Sequence, residues 1–115
     1  VAVEFDTFPN KWDPPFAHVG IDVNSIDSLT TVRWGNENID SDLTTVFVTV
    51  TYEPFAHNLS VVVVSYPESK GSGTTISLSN VVDLRNVLPE WVSVGFSGAT
   101  GRLVEEHQIL SWSFH

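Results

Sequence analysis

The chain contains no cysteine and no methionine, and only 5 lysines and arginines stand against 14 aspartates and glutamates, a formal net charge of −9. Without cysteine there is no disulfide framework, no thiolate metal site and no thiol nucleophile. The compartment stays open, because a β core of adequate size can be secreted without disulfides. The scarcity of positive charge excludes a nucleic-acid surface, which is built from clustered lysine and arginine. Long apolar runs are missing too: the longest, Val61–Val64, falls far short of the ~20 residues a membrane-spanning helix needs. Helical periodicity is absent except for a single turn at Leu84–Leu88, closed by Pro89. No signal peptide is seen; Val1 opens directly into patterned sequence, so residues upstream are expected to have been removed. At 115 residues, without repeat or linker, the chain suits one domain or part of one.

What is present is alternation at period two, the mark of half-buried strands. Val1, Val3 and Phe5 alternate with Ala2, Glu4 and Asp6, and Val19, Ile21 and Val23 with Gly20, Asp22 and Asn24. Thr44–Tyr52, Leu59–Tyr66, Thr75–Asp83, Trp91–Ser97 and Gln108–Phe114 read as further strands, rich in the valine and threonine that favour a pleated surface. Pro14–Pro15, Gly35–Asn36, Pro54 to Asn58, the Lys70–Gly73 run and Gly98–Gly101 punctuate them. Strands at roughly ten-residue spacing with such turns predict an all-β sandwich or barrel. Trp34, Trp91 and Trp112, set among strand residues, are expected in its core.

The densest chemistry lies in residues 4–18. Glu4 and Asp6 are two apart on a strand, so both leave the same face. Neighbouring carboxylates repel and are costly unless a cation neutralises them. Asn10 and Asp13 follow in a loop stiffened by Pro9, Pro14 and Pro15, and His18 starts the next strand. A hard cation such as Ca²⁺ takes oxygens. Asp6, Asn10, Asp13 and a main-chain carbonyl near Phe8 could supply them. A transition ion accepts imidazole with carboxylates, which Glu4, Asp6, Asp13 and His18 could supply. The bland alternative is a solvated acidic strand end beside an ordinary surface histidine.

Three segments make the chain recognisable: Val1–Ile26, Leu88-Pro-Glu-Trp-Val-Ser-Val-Gly-Phe-Ser-Gly-Ala-Thr-Gly101, and Glu106-His-Gln-Ile-Leu-Ser-Trp-Ser-Phe114. Together with Trp34–Asn38 and Val64–Pro67 they resemble the legume lectins over nearly the whole chain. The resemblance implies a legume-lectin jelly-roll β-sandwich, with a flat back sheet, a curved front sheet and a sugar site at one end. It implies a Mn²⁺ site at Glu4, Asp6, Asp13 and His18, and a Ca²⁺ site at Asp6, the Phe8 carbonyl, Asn10 and Asp13. Every ligand position is filled by the expected type, although Asn10 and Asp13 lie close together. Relatives that have lost sugar binding typically lose parts of this set, so an active lectin is expected. Asn10 would fork onto adjacent sugar hydroxyls while Ca²⁺ holds its oxygen. Phe8 would stack on the sugar, with core packing as its alternative fate. The loop Gly98–Glu105 would close the site through Arg102 and Leu103. Seven residues, Arg102 to Gln108, separate Gly101 from Ile109. That resembles the short loop of mannose/glucose binders.

The family's Ala-Asp-Gly segment, with its essential aspartate, is absent from this sequence. The expectation is therefore a two-chain protein. Residues 1–115 would form the C-terminal half of one lectin domain, a second chain would carry the N-terminal half, and pairs would assemble into dimers or tetramers through the back sheets. The low charged fraction, 17% against about 25% in ordinary domains, fits a surface buried by such a partner. The setting implied is the secretory pathway, a seed protein-storage vacuole or secretion.

Other residues read more plainly. Asn58-Leu59-Ser60 is an N-glycosylation tripeptide. Trp12 is expected to brace the metal loop, and His57 and His107 to lie on the surface. No serine carries a triad motif, and nothing positions Glu90, Glu105 and Glu106 as a glycosidase acid pair. The reading is a non-catalytic, metal-dependent lectin binding mannose/glucose-type glycans, without nucleic acid or membrane insertion. The alternative is a lectin-like seed defence protein or enzyme inhibitor without sugar binding. A metal-dependent glycan hydrolase is the weakest option.

Overall fold

A computed structural model describes residues 1–35, 43–69, 72–100 and 106–115. Among these described residues, six strands form two antiparallel sheets. The first runs β1 (Ala2–Asp6), β2 (His18–Asp22), β3 (Thr30–Arg33), and the second β4 (Thr44–Glu53), β5 (Asn58–Pro67), β6 (Thr74–Val81), each in chain order. The all-β architecture expected from alternation is the one observed. β3 was not legible: its four residues, Thr-Thr-Val-Arg, offer one apolar side chain and hence no period.

The two sheets meet face to face. In β5, Leu59, Val61 and Val63 are buried, and their neighbours across the ladders are Tyr52, Val50 and Val48 of β4 and Asn80, Leu78 and Ile76 of β6. Val19 and Ile21 of β2 bring the opposing face and join Leu59, Val61, Val63 and Leu78 in one core. Burying each such side chain contributes about 1.5–3 kcal/mol. Two polar contacts tie the sheets across this core: Trp34 Nε1 donates to Ser65 Oγ at 2.9 Å, and Asn80 Nδ2 to Thr30 Oγ1 at 2.9 Å. Phe5 stands edge-on to Trp34 with centroids 5.5 Å apart.

β4 and β5 pair over ten residues from Thr44↔Pro67 to Glu53↔Asn58. The Glu53 carboxylate closes their turn by accepting from the Phe55 and Ala56 N–H groups at 3.1 and 2.5 Å. After β6, the helical turn α1 (Leu84–Val87) begins on Asp83, whose side chain accepts from Arg85 N, and Pro89 follows.

Two expectations fail here. Neither Trp91–Ser97, as far as residue 97, nor Gln108–Phe114 is a strand, and Trp91 and Trp112 are 86% and 59% exposed rather than core. Alternation reports which side chains could share a face. A strand also needs ladder partners, and no described strand pairs with these segments. Phe96 and Trp112 do stand edge-to-face, with centroids 5.6 Å apart. Trp34 is partly buried against the core, as expected.

Candidate functional site

The residues on β1 and β2 sort by parity. Odd positions Val3, Val19 and Ile21 face the second sheet. Even positions form the opposite, polar face, with Glu4 paired to Gly20, Asp6 to His18 and Ala2 to Asp22. Loop residues 7–17 and Ser28 cover that face at one end, and His18 becomes fully buried. The alternative of a surface histidine is thereby overturned.

His18 is held from both sides. Its Nδ1 lies 3.2 Å from the Phe16 carbonyl, which can only accept, so Nδ1 carries a proton. Its Nε2 lies 2.9 Å from Glu4 Oε1 and 3.9 Å from Asp13 Oδ1. Burial alone would push the imidazole down. Hydrogen bonds to Glu4 and Phe16, with the charges of Glu4 and Asp6, outweigh it and raise the pKa above 6.5. Burial raises Asp6 as well, helped by nearby Asp13 and Glu4 and opposed by the Phe8 N–H it accepts from at 2.7 Å.

Two residues missed by sequence reasoning complete this cluster. Ser28 Oγ lies 2.5 Å from both Glu4 Oε1 and Asp22 Oδ1. One hydroxyl proton serves one carboxylate at a time, so the other contact needs a proton on the carboxyl or a cation beside it. Burial, reinforced by the Glu4 charge, raises Asp22 despite the Ser28 bond. The second missed residue is Gly20: a Cβ there would collide with Ser28 Oγ and lie 3.0 Å from Glu4 Oε1. The glycine leaves room for the polar cluster. Its only sequence signal is a glycine in a strand interior, between the branched residues Val19 and Ile21.

Ligand atoms of Glu4, Asp13 and His18 all lie within 4.8 Å of one another. Octahedral bonds of about 2.1 Å place neighbouring donors about 3 Å apart and opposed donors about 4.2 Å apart. The observed 2.9 and 3.9 Å separations suit that range. The donor chemistry, one imidazole with carboxylates, suits a transition ion, and the Phe16 carbonyl fixes the tautomer that would leave Nε2 to such an ion. Asp6 is outside this group of three, at the end of β1, where it accepts from Phe8 N in the adjoining turn. There Asp13 Oδ2 accepts from Asn10 N at 2.7 Å while Asp13 N donates to Asn10 O at 3.1 Å. This tight turn accommodates the short Asn10–Asp13 spacing.

Above the cluster the loop is open. Phe8 is 44% exposed and Trp12 50%, so neither is a core residue. Asn10 is exposed as well. Arg102 and Leu103 lie outside the described residues. Asn58, at the start of β5, belongs to the other sheet. His57, expected on the surface, is half-buried with Nδ1 3.8 Å from Asp83.

The sequence matches the family "Legume lectin domain" over residues 1–115. It is 55% identical over 120 residues to "Lectin 7" of Medicago truncatula, covering 99% of this chain and 44% of that protein. It is 49% identical over 118 residues to a "Mannose/glucose-specific lectin" of Centrolobium tomentosum, again 99% and 44%. Among solved structures, lectin I from Ulex europaeus, in complex with the methyl glycoside of α-L-fucose, superimposes with a TM-score of 0.62 at 38% identity. That match covers 77% of this chain and 36% of the other. The chain thus spans less than half the length of the relatives it matches.

Proposed function

The chain belongs to the legume lectin family, and on that footing we propose that it forms part of a metal-dependent, non-catalytic lectin for mannose/glucose-type glycans. The observation that carries this reading is the convergence of Glu4, Asp13 and buried His18 beneath an exposed loop bearing Phe8 and Asn10. Glu4, Asp6, Asp13 and His18 would hold Mn²⁺, and Asp6, the Phe8 carbonyl, Asn10 and Asp13 would hold Ca²⁺. The bound ions would supply the positive charge that lets these carboxylates lie side by side.

The chain's own residues then do the binding. Asn10 turns its amide N–H groups to adjacent sugar hydroxyls, and Phe8 offers an apolar wall to the C–H face of the ring. Arg102 and Leu103 close the rim. The preference for mannose and glucose rests on the seven-residue span Arg102 to Gln108, and a relative named mannose/glucose-specific supports it. A pocket that leaves one polar group unpaired against the wrong C4 hydroxyl discriminates by about 1–3 kcal/mol.

A partner carrying the N-terminal half would complete the sandwich, and the chain pairs would form dimers or tetramers. In support, Val48 and Val50 share the core face of the second sheet with Val61 and Val63, yet stay 41% and 50% exposed while the latter are 0% exposed. Trp91, Val92, Phe96, Leu110 and Phe114 add further uncovered apolar surface. Secretion or vacuolar storage is the setting; no helix among the described residues is long and apolar enough to cross a membrane.

The test is agglutination of red cells by the complete protein, before and after chelation and after return of Mn²⁺ and Ca²⁺. The expected result is metal-dependent agglutination blocked by methyl α-mannoside and not by galactose. Agglutination blocked by galactose alone would overturn the specificity. A metal-replete protein that binds no glycan would favour a defence protein acting through protein contacts.

A further inference from the structure

The tripeptide Asn58-Leu59-Ser60 takes no part in the site described above, and it is the only Asn-X-Ser/Thr sequence in the 115 residues. Its position in the fold is specific. Asn58 is the first residue of β5 and follows His57, which adopts a positive φ of 52° as the chain leaves the β4–β5 turn. Within β5 the buried residues are Leu59, Val61, Val63 and Ser65, so Asn58 and Ser60 stand on the opposite, outward face.

The neighbourhood on that face leaves space. Across the ladders Asn58 meets Glu53 and Val81, and Ser60 meets Thr51 and Ser79. Glu53 is bent back into the turn, where its carboxylate holds the Phe55 and Ala56 amides. The remaining neighbours are small, and Val81 is 70% exposed, an apolar patch suited to the C–H face of a sugar ring.

We propose that Asn58 is a site of N-linked glycosylation, its glycan standing at the hairpin corner of the second sheet's outer face, beside Ser60 and Val81. The inference rests on the secretory setting proposed above. The donor class is a polyprenyl-diphosphate-linked oligosaccharide. A bond forms between Asn58 Nδ2 and the anomeric carbon of the reducing-end sugar, and the bond from that carbon to the diphosphate oxygen breaks. The polyprenyl diphosphate leaves with the electron pair, and one amide proton passes to base. β5 is paired on both sides, and Ser60 Oγ donates to Thr51 O at 3.5 Å. The acceptor segment is therefore free only before the sheet closes, and transfer precedes folding.

The test expresses the complete protein with a secretory leader in plant cells and maps its peptides by mass spectrometry. Enzymatic glycan release in heavy-oxygen water is run in parallel. The peptide containing Asn58 is expected to carry hexose and N-acetylhexosamine mass, and to gain one heavy oxygen as release converts the amide to an acid. Asn58→Gln and Ser60→Ala should each lose the glycan's mass and migrate one step faster in electrophoresis, while Ser60→Thr, which keeps the acceptor sequence, should run with the unmutated protein. A secreted, mannoside-binding protein with unmodified Asn58 overturns this proposal and leaves the lectin reading standing. A protein that is unmodified because it never enters the secretory pathway overturns both this proposal and the setting on which it rests.

Discussion

The two sheets use their faces differently. The second sheet puts an almost purely apolar face inward and a threonine- and serine-rich face outward, and its regularity comes from two long ladders. The first sheet is shorter and two-sided. One face of β2 carries core residues Val19 and Ile21; the other carries His18 and Asp22, linked through Glu4 and Ser28. The lesson is that stability and chemistry are separated by parity. Changing an odd residue of β1 or β2 should alter folding, and changing an even one should alter ion binding.

The largest expected effect on this contrast comes from removing the ions or their ligands. Chelation, or Asp13→Ala, should abolish glycan binding in the complete protein and speed hydrogen exchange across residues 7–17. Protection in β5 should change little, because no ligand lies in that sheet. Equal loss of protection in both sheets would show that the site and the core are one cooperative unit. Next in size is a core truncation. Leu59→Ala should destabilise by about 2–5 kcal/mol in chemical denaturation, against within about 0.5 kcal/mol for outward-facing Thr49→Ala. Comparable values would mean that the outer face is packed against a partner.

A smaller effect probes the support of the cluster. Ser28→Ala should weaken transition-ion affinity by about 10–100-fold, read by competition with a chelating dye, and leave the denaturation midpoint of the metal-free protein near its original value. An unchanged affinity would remove Ser28 from any role in orienting Glu4.

The smallest effects are in pH, and the two regions should respond with opposite sign. His18 is raised above 6.5 in the fold, so its contribution to the metal-free protein is complete below 6.5 and is lost as pH rises through the folded value. Asp6 and Asp22 are raised above 3.8, so the fold favours their protonated forms and this contribution also declines as pH rises. Asp83 differs. Its hydrogen bonds and ion pair with Arg85 lower it to about 2, so its contribution is present above 3.8 and disappears as pH falls through about 2. Residue-resolved exchange in metal-free protein should show the β1–β2 end loosening from mild acid to pH 8, and the Asp83 turn loosening only in strong acid. Metal should reverse the first trend, because ligation needs His18 without its Nε2 proton. A β1–β2 end that tightens with pH in the absence of metal would contradict the assignment.

Much of this was legible in the residues themselves. Val-Thr alternation and turn chemistry specify strands and their inward parity, and the order Glu4, Asp6, Asn10, Asp13, His18 marks a place where carboxylates and an imidazole meet. These are local properties, because strand period and loop length are set by adjacent residues. Tertiary structure alone decided the rest. The Ser28 hydroxyl sits between Glu4 and Asp22, which lie 24 and 6 residues away along the chain, and Gly20 is small because Ser28 packs over it. Trp91 and Trp112 have the sequence setting of core residues yet lie exposed. Alternation states which face a side chain prefers, but burial requires another surface to cover it, and that surface is not encoded in the segment's own period.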